Sequence, residues 1–176
     1  MKRLSILAGA FSILAIGCGS SPTTSTANPT QVKFTAVMLP SNEVPAVTNA
    51  DATGRGTSTM TLNLTRDATS TITAATFDYT VDLNSFPAGT TLTGAHIHPG
   101  ATGINGPVLI TMGLGTGEIV LVNGSQSGIT KTGLTGGGAL TPAVAQDIIN
   151  NPSQYYFNVH TTINLGGAVR GQLVKQ

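Results

Sequence analysis

From Val32 onward the chain alternates apolar with polar residues at a period of two, in short runs broken by glycine, asparagine and proline. Successive side chains of an extended strand point to opposite faces, so each run describes a strand with one face to bury and one to solvate. Val32, Phe34, Ala36 and Met38 make the first run, and Pro40 ends it because proline cannot donate to a ladder. Met60, Leu62 and Leu64 follow, then Phe77, Tyr79, Val81 and Leu83. Ile72 is out of phase with that set, which predicts a bulge near Ala74-Ala75. Further runs cover Val108–Met112, Ile119–Val122, Tyr155–Thr162 and Ala168–Val174, separated by turn signals such as Pro99-Gly100, Asn105-Gly106-Pro107 and Asn123-Gly124. Seven or more short strands so punctuated predict an all-β sandwich or barrel, of which a Greek-key β-sandwich is the form expected. One short helix is expected: Thr141 caps it, Pro142 suits its first turn, and Asn151-Pro152 ends it.

Composition narrows the partners. Only 9% of the 176 residues are charged, the formal net charge is +1, and no basic cluster exists, so nucleic acid is not an expected partner. A single cysteine excludes an internal disulfide framework. Gly113-Leu114-Gly115-Thr116-Gly117 has neither a following helix nor a Lys-Ser/Thr pair, so it reads as a loop rather than a phosphate cradle, and Gly133–Gly138 reads the same way.

The N-terminus reads as an address. Lys2-Arg3 precedes an apolar run from Leu4 to Gly17 that is shorter than the roughly 20 residues a membrane-spanning helix needs. It ends at Ala15-Ile16-Gly17-Cys18, which resembles the lipobox of bacterial lipoproteins except that leucine is usual where Ala15 stands. That resemblance implies Sec export, removal of a signal peptide (1–17), acylation of Cys18 and anchorage to the membrane. Gly19 after the cysteine favours the outer membrane where the cell has one. An ordinary secretory signal with an incidental cysteine is the alternative. Residues 18–31, rich in Ser, Thr and Pro, read as the lipidated cysteine plus a flexible tether, and 32–176 as the folded domain.

The three histidines fall in two of the strands: His96 and His98 in Gly94-Ala95-His96-Ile97-His98-Pro99, His160 in Tyr156-Phe157-Asn158-Val159-His160-Thr161. Residues i and i+2 of a strand share a face, so His96 and His98 project together, opposite Ala95 and Ile97. His160 lies opposite Phe157 and Val159. If the two strands are neighbours, three imidazoles converge on one polar patch at the edge or outer face of the sandwich. Three imidazoles suit copper or zinc with an open position; the alternative is a hydrogen-bonded tie between loops and sheet, which Asn158 and Thr161 could join. Asp78 and Asp82 share a strand face and read as solvated surface.

Four segments together resemble the CHRD (chordin-type) domain family. They are Leu39–Val47, then Ala95–Gly100 with Gly103–Val108, then Tyr156–Thr161, then Gly166–Leu173, in the family's order. Ala168 departs from it, standing where the family often has an acidic residue. The family occurs in bacterial secreted proteins and, repeated, in growth-factor-binding chordins; that role does not transfer to a lone copy. A weaker similarity is to the Cu/Zn superoxide dismutase sandwich, which like the immunoglobulin fold is a Greek-key architecture. It implies His96, His98 and His160 as copper ligands and Arg170 as an anion guide, although no zinc-bridging histidine, zinc loop or disulfide is available.

Arg170 has a structural reading too: on the polar face of the last strand, it would pair with a carboxylate such as Glu43 and fasten the first loop. The expected function is a lipid-anchored cell-envelope module binding a protein or glycan partner. The alternative is a copper or zinc metalloprotein with a three-histidine site, dismutase-like in the extreme case. A hydrolase is disfavoured, since no Gly-x-Ser-x-Gly elbow occurs and the one cysteine is assigned to lipid.

Overall fold

The computed structural model describes residues 29–176; the expected signal peptide, Cys18 and the expected tether up to residue 28 lie outside the described residues. Among the described residues ten strands form, in chain order β1 (Gln31–Met38), β2 (Arg55–Arg66), β3 (Ile72–Asn84), β4 (Thr90–Pro99), β5 (Ile110–Thr111), β6 (Val120–Leu121), β7 (Gln126–Leu134), β8 (Tyr155–Thr161), β9 (Val169–Gln172) and β10 (Val174–Lys175). One sheet runs β10-β1-β2-β3-β7 and the other β5-β4-β8-β9, with β6 pairing the start of β4. All pairings are antiparallel. The neighbours β1–β10, β3–β7 and β4–β8 are far apart in sequence, so the chain crosses repeatedly between the layers of a sandwich.

The expected alternation is observed where both faces of a strand have distinct surroundings. Val32, Phe34, Ala36 and Met38 of β1 are buried, as are Met60, Leu62 and Leu64 of β2, and Phe77, Tyr79, Val81 and Leu83 of β3. They meet Leu92, Ala95 and Ile97 of β4 and Phe157 and Val159 of β8 in one core. Each such fully buried side chain contributes about 1.5–3 kcal/mol. The bulge falls where Arg66 pairs with Ile72 but Thr65 with Ala74, leaving Thr73 as the extra residue. This puts Ile72 back on the core face.

The helix α1 spans Pro142–Asn150, and the Thr141 hydroxyl accepts a bond from the Val144 N–H. Its Asp147 is held by the Tyr155 hydroxyl at the start of β8. Two expectations need adjustment. The run from Val108 to Met112 forms a ladder only at Ile110–Thr111, and Ile119–Val122 only at Val120–Leu121. The final run is split: β9 belongs to one sheet and β10 to the other, with buried Leu173 at the crossing.

Strand β7 carries no alternation, because as an edge strand it buries Ile129 alone. Its irregular register is secured by the aspartates of β3. Asp78 accepts from the Gly133 N–H at 2.8 Å and from Asn63 Nδ2 at 2.9 Å, and Asp82 accepts from the Gly128 N–H at 2.8 Å. The two carboxylates therefore fasten an edge strand rather than merely facing solvent.

Candidate metal centre

The site is built on the outer face of the β5-β4-β8-β9 sheet. Registry sets it in rows: His96 lies opposite Asn158, which lies opposite Arg170; His98 lies opposite Tyr156, which lies opposite Gln172; Gly94 lies opposite His160. Cross-strand neighbours on one face approach to about 5 Å. Gly94 leaves room in the third row, since a Cβ there would stand 3.2 Å from His96 Cε1. The ring centroids of His96 and His160 are 4.6 Å apart, those of His96 and His98 5.7 Å, and those of His98 and His160 6.0 Å. A ring nitrogen from each lies within 4.8 Å of the others. The two histidine motifs thus converge.

The face is not wet, as the sequence had suggested. Three loops roof it: residues 39–53, 100–109 and 162–168. His98 and His160 are each only 6% exposed, while His96 is half-buried. The roof also fixes the imidazole protons. His160 Nδ1 donates to the Leu165 carbonyl at 2.9 Å, and His98 Nδ1 donates to the Gly106 carbonyl at 3.1 Å. His160 Nε2 consequently carries a lone pair, which accepts from His96 Nδ1 at 2.8 Å. His98 Nε2 is buried without a partner.

Burial, with the neighbouring imidazoles adding to it, pushes the His96 pKa down to about 4. Burial also lowers those of His98 and His160, with carbonyl hydrogen bonds opposing it. These shifts favour the neutral imidazole, the form that ligates metal.

Tyr156 forms one wall. Its ring stacks on His98 at 4.9 Å with an interplanar angle of 2°, and Arg170 Cζ sits 4.5 Å from its centroid. The Tyr156 hydroxyl accepts from the Gly106 N–H at 3.2 Å. Gly106 itself is compressed: a Cβ there would fall 1.6 Å from the Pro99 carbonyl oxygen.

Arg170 is not on a polar surface. It is 2% exposed, and its Nε donates to the Asn42 carbonyl at 2.5 Å while Nη1 donates to Asn105 Oδ1 at 2.7 Å. Glu43 is 7% exposed, yet no ion-pair contact joins it to Arg170; Lys131–Glu118 is the one ion pair among the described residues. Glu43 instead lies against Gly167 and Asn158, where a Cβ on Gly167 would be 2.7 Å from Glu43 Oε1 and 2.5 Å from Asn158 Nδ2. Burial raises the Glu43 pKa to about 7, and the charge of Arg170 only partly opposes this. Arg170 does fasten the first loop, but through the Asn42 carbonyl.

Asn158 sits beside the histidines, with Oδ1 buried and unpartnered. Thr161 belongs to a different network: its hydroxyl donates to Asp51 Oδ2 at 2.6 Å, and Asn164 Nδ2 donates to the same oxygen at 2.7 Å. The supporting roles of Asn105 and Leu165, and of Asp51 in the adjoining network, were not readable from the sequence. Leu165 acts through a backbone carbonyl and Asp51 through a fully buried carboxylate in the neighbouring network, and neither lies in a motif; Asn105 does lie in the Gly103–Val108 segment, but there it reads only as a turn residue.

Compared with the curated proteins and with the solved structures, the chain matches none. A family model of the CHRD domain matches residues 34–173, which take in every strand of the site and all three roofing loops. This chain belongs to the CHRD domain family.

Proposed function

We propose that this CHRD-domain protein is a lipid-anchored module of the cell envelope whose three-imidazole centre binds one copper or zinc ion. The observation that carries the metal half is the convergence of His96, His98 and His160 within 4.8 Å. The donor set supports it: nitrogen ligands without a carboxylate suit copper or zinc and not magnesium or calcium. The supporting shell has the form metal-bound histidines use, with the second nitrogen of His98 and of His160 donating to a backbone carbonyl. His98 Nε2 and His160 Nε2 would be two of the ligands and a ring nitrogen of His96 the third. Copper held there would supply one-electron chemistry and zinc would supply Lewis acidity. What the chain itself does is hold three imidazoles in fixed orientation under a roof of loops that shields them from water. The anchor half is supported by the N-terminal apolar run ending at Cys18.

A second reading, an interaction module for a protein partner, has its own support. Val44, Ile104, Ile163 and Leu165 are exposed on the three roofing loops, with Leu165 at 73%. No aromatic ring is exposed among them, which favours a protein partner over a stacked sugar.

Titration with copper(II) and, separately, zinc, followed by dialysis and metal analysis, tests the metal reading. One equivalent retained by the wild type and lost in His98→Ala is the expected result. Retention that is the same in His98→Ala, or no retention at micromolar metal, overturns it and leaves the interaction module. Superoxide turnover by the copper-loaded protein would extend the reading to dismutase-like chemistry. Mass spectrometry of the mature N-terminus tests the anchor, which an unmodified Cys18 overturns.

A further inference from the structure

Between the end of β4 at Pro99 and the start of β5 at Ile110 the chain has no strand or helix, yet it supplies the carbonyl that orients His98. Backbone bonds tie the loop at its two ends, Gly100 to Gln154 and Leu109 to Ile97, and side chains from the body of the fold pin its middle. The pins can be traced. Arg170 Nη1 donates to Asn105 Oδ1 at 2.7 Å and, more distantly, to the Ile104 carbonyl at 3.4 Å. The other end of the Asn105 amide donates to the Val44 carbonyl at 2.7 Å. The next residue is Gly106, whose carbonyl accepts from His98 Nδ1 and whose N–H donates to the Tyr156 hydroxyl. Tyr156 in turn is covered by Arg170 and stacked on His98. The guanidinium therefore touches both groups that hold Gly106, Asn105 and the Tyr156 ring.

We infer that Arg170 is a positioning residue for the three-imidazole centre: by pinning Asn105 and Tyr156 it orients the Gly106 carbonyl, which keeps the proton of His98 on Nδ1 and leaves Nε2 free to ligate. Its consequence for metal affinity rests on the metal reading proposed above; its consequence for the His98 proton does not.

The geometry accounts for arginine in particular. A guanidinium is a planar fork that can reach Asn42 and Asn105 in two directions while lying over an aromatic ring, which a lysine ammonium cannot do. Arg170 is also anchored along its own backbone. Its carbonyl accepts from the Leu39 N–H at 3.1 Å and from Asn42 Nδ2 at 3.0 Å. The fork thus starts from a fixed point. An imidazole released from the Gly106 carbonyl would distribute its proton over both nitrogens, and the fraction with the proton on Nε2 cannot ligate from that atom.

The test uses the full chain, metal-free, with ring-nitrogen NMR shifts of His98 as the primary readout. The wild type is expected to show the Nδ1–H form alone. Arg170→Met, which keeps bulk but not the fork, and Arg170→Lys, which keeps the charge, are both expected to show a mixture of the two forms. Asn105→Ala, at an exposed position that threatens folding least, is expected to shift His98 in the same direction, so the inference stays testable if the Arg170 variants do not fold. Zinc or copper affinity, added as the metal alone, should fall roughly 10- to 100-fold in the variants. An unchanged Nδ1–H form in Arg170→Met and Asn105→Ala overturns the inference, even where the wild type binds metal. A wild type that binds neither metal but whose variants mix the two forms overturns the metal reading and leaves the positioning role standing.

Discussion

His96 Nδ1 and His160 Nε2 lie 2.8 Å apart, although 64 residues separate them in the chain. The bond has a definite direction. The Leu165 carbonyl takes the only proton of neutral His160 at Nδ1, so His160 must accept and His96 must donate. A loop residue on one side of the site therefore decides which nitrogen of a histidine on the next strand carries its proton.

Removing His160 should disturb more than a ligand. His160→Ala leaves the Leu165 carbonyl without its donor and His96 Nδ1 without its acceptor. An unmet polar group costs about 1–3 kcal/mol where it is buried, and the lost packing of the His160 ring, which is 6% exposed, adds to it. Urea denaturation of the metal-free protein is expected to show a loss in that range, against a smaller one for half-buried His96→Ala. Equal losses in the two variants would contradict the hierarchy.

Gly106→Ala should be among the most damaging substitutions in the roof. The added methyl would fall 1.6 Å from the Pro99 carbonyl oxygen, so the backbone must move and carry the His98 acceptor with it. The expected outcome is a melting temperature several degrees lower, with His98 ring-nitrogen shifts displaced. By contrast Gly103→Ala has open space around its Cβ and a positive φ of 82°, so it is expected to cost backbone strain alone and to leave His98 unchanged.

Glu43 makes stability depend on pH in the direction opposite to an ion-paired carboxylate. Its pKa is raised from 4.5 to about 7, so between those values the folded protein binds more protons than the unfolded chain. Its contribution is fully present below about pH 4.5 and is lost as pH rises through 7. Glu43→Gln, permanently neutral, should leave stability at pH 4.5 nearly unchanged and raise it at pH 8 by on the order of 1–3 kcal/mol. Guanidinium denaturation of the metal-free protein at the two pH values measures this. A loss at pH 8 would mean that Glu43 is held as a carboxylate.

With Glu43 replaced, the histidine contribution has the opposite sign and is the main one above about pH 5, while the lowered carboxyls of Asp67, Glu118 and Asp147 act in the same direction only as pH falls further. His96 is lowered from 6.5 to about 4, and His98 and His160 are lowered as well. The unfolded chain then takes up protons first as pH falls. In Glu43→Gln, stability is expected to be highest above about pH 7 and to decline between 6.5 and 4. A flat profile across that window would contradict the burial of the neutral imidazoles.

Core substitutions should separate fold from site. Phe157 is fully buried on the face of β8 opposite Asn158. Phe157→Ala is expected to cost about 3–5 kcal/mol. Phe157→Leu should cost much less and leave the His98 proton on Nδ1, as read by the same ring-nitrogen shifts. A change of His98 in Phe157→Leu would show that the two faces of the sheet are coupled.

The sandwich was readable from sequence wherever a strand had one face in the core, because burial of alternate residues writes a period of two into the chain. Thr141-Pro142 and Asn151-Pro152 bounded the helix for equally local reasons. Strand β7 left no such trace: an edge strand held by Asp78 and Asp82 needs only one buried side chain. Pairing of His96 with His98 on one face also followed from strand geometry alone, since it involves neighbours two residues apart.

Convergence of His160 on that pair was conditional on β4 and β8 being adjacent, a relation between segments about 60 residues apart that no local pattern encodes. The burial of Glu43 and Arg170 was likewise settled by loops 39–53, 100–109 and 162–168 folding over the outer face. From its residues alone the chain specified which side chains share a face, because backbone stereochemistry is local. Which faces meet, which carbonyl holds each imidazole proton and which charges lose their water were decided only when distant segments packed together, because desolvation and hydrogen-bond partners are properties of the assembled fold.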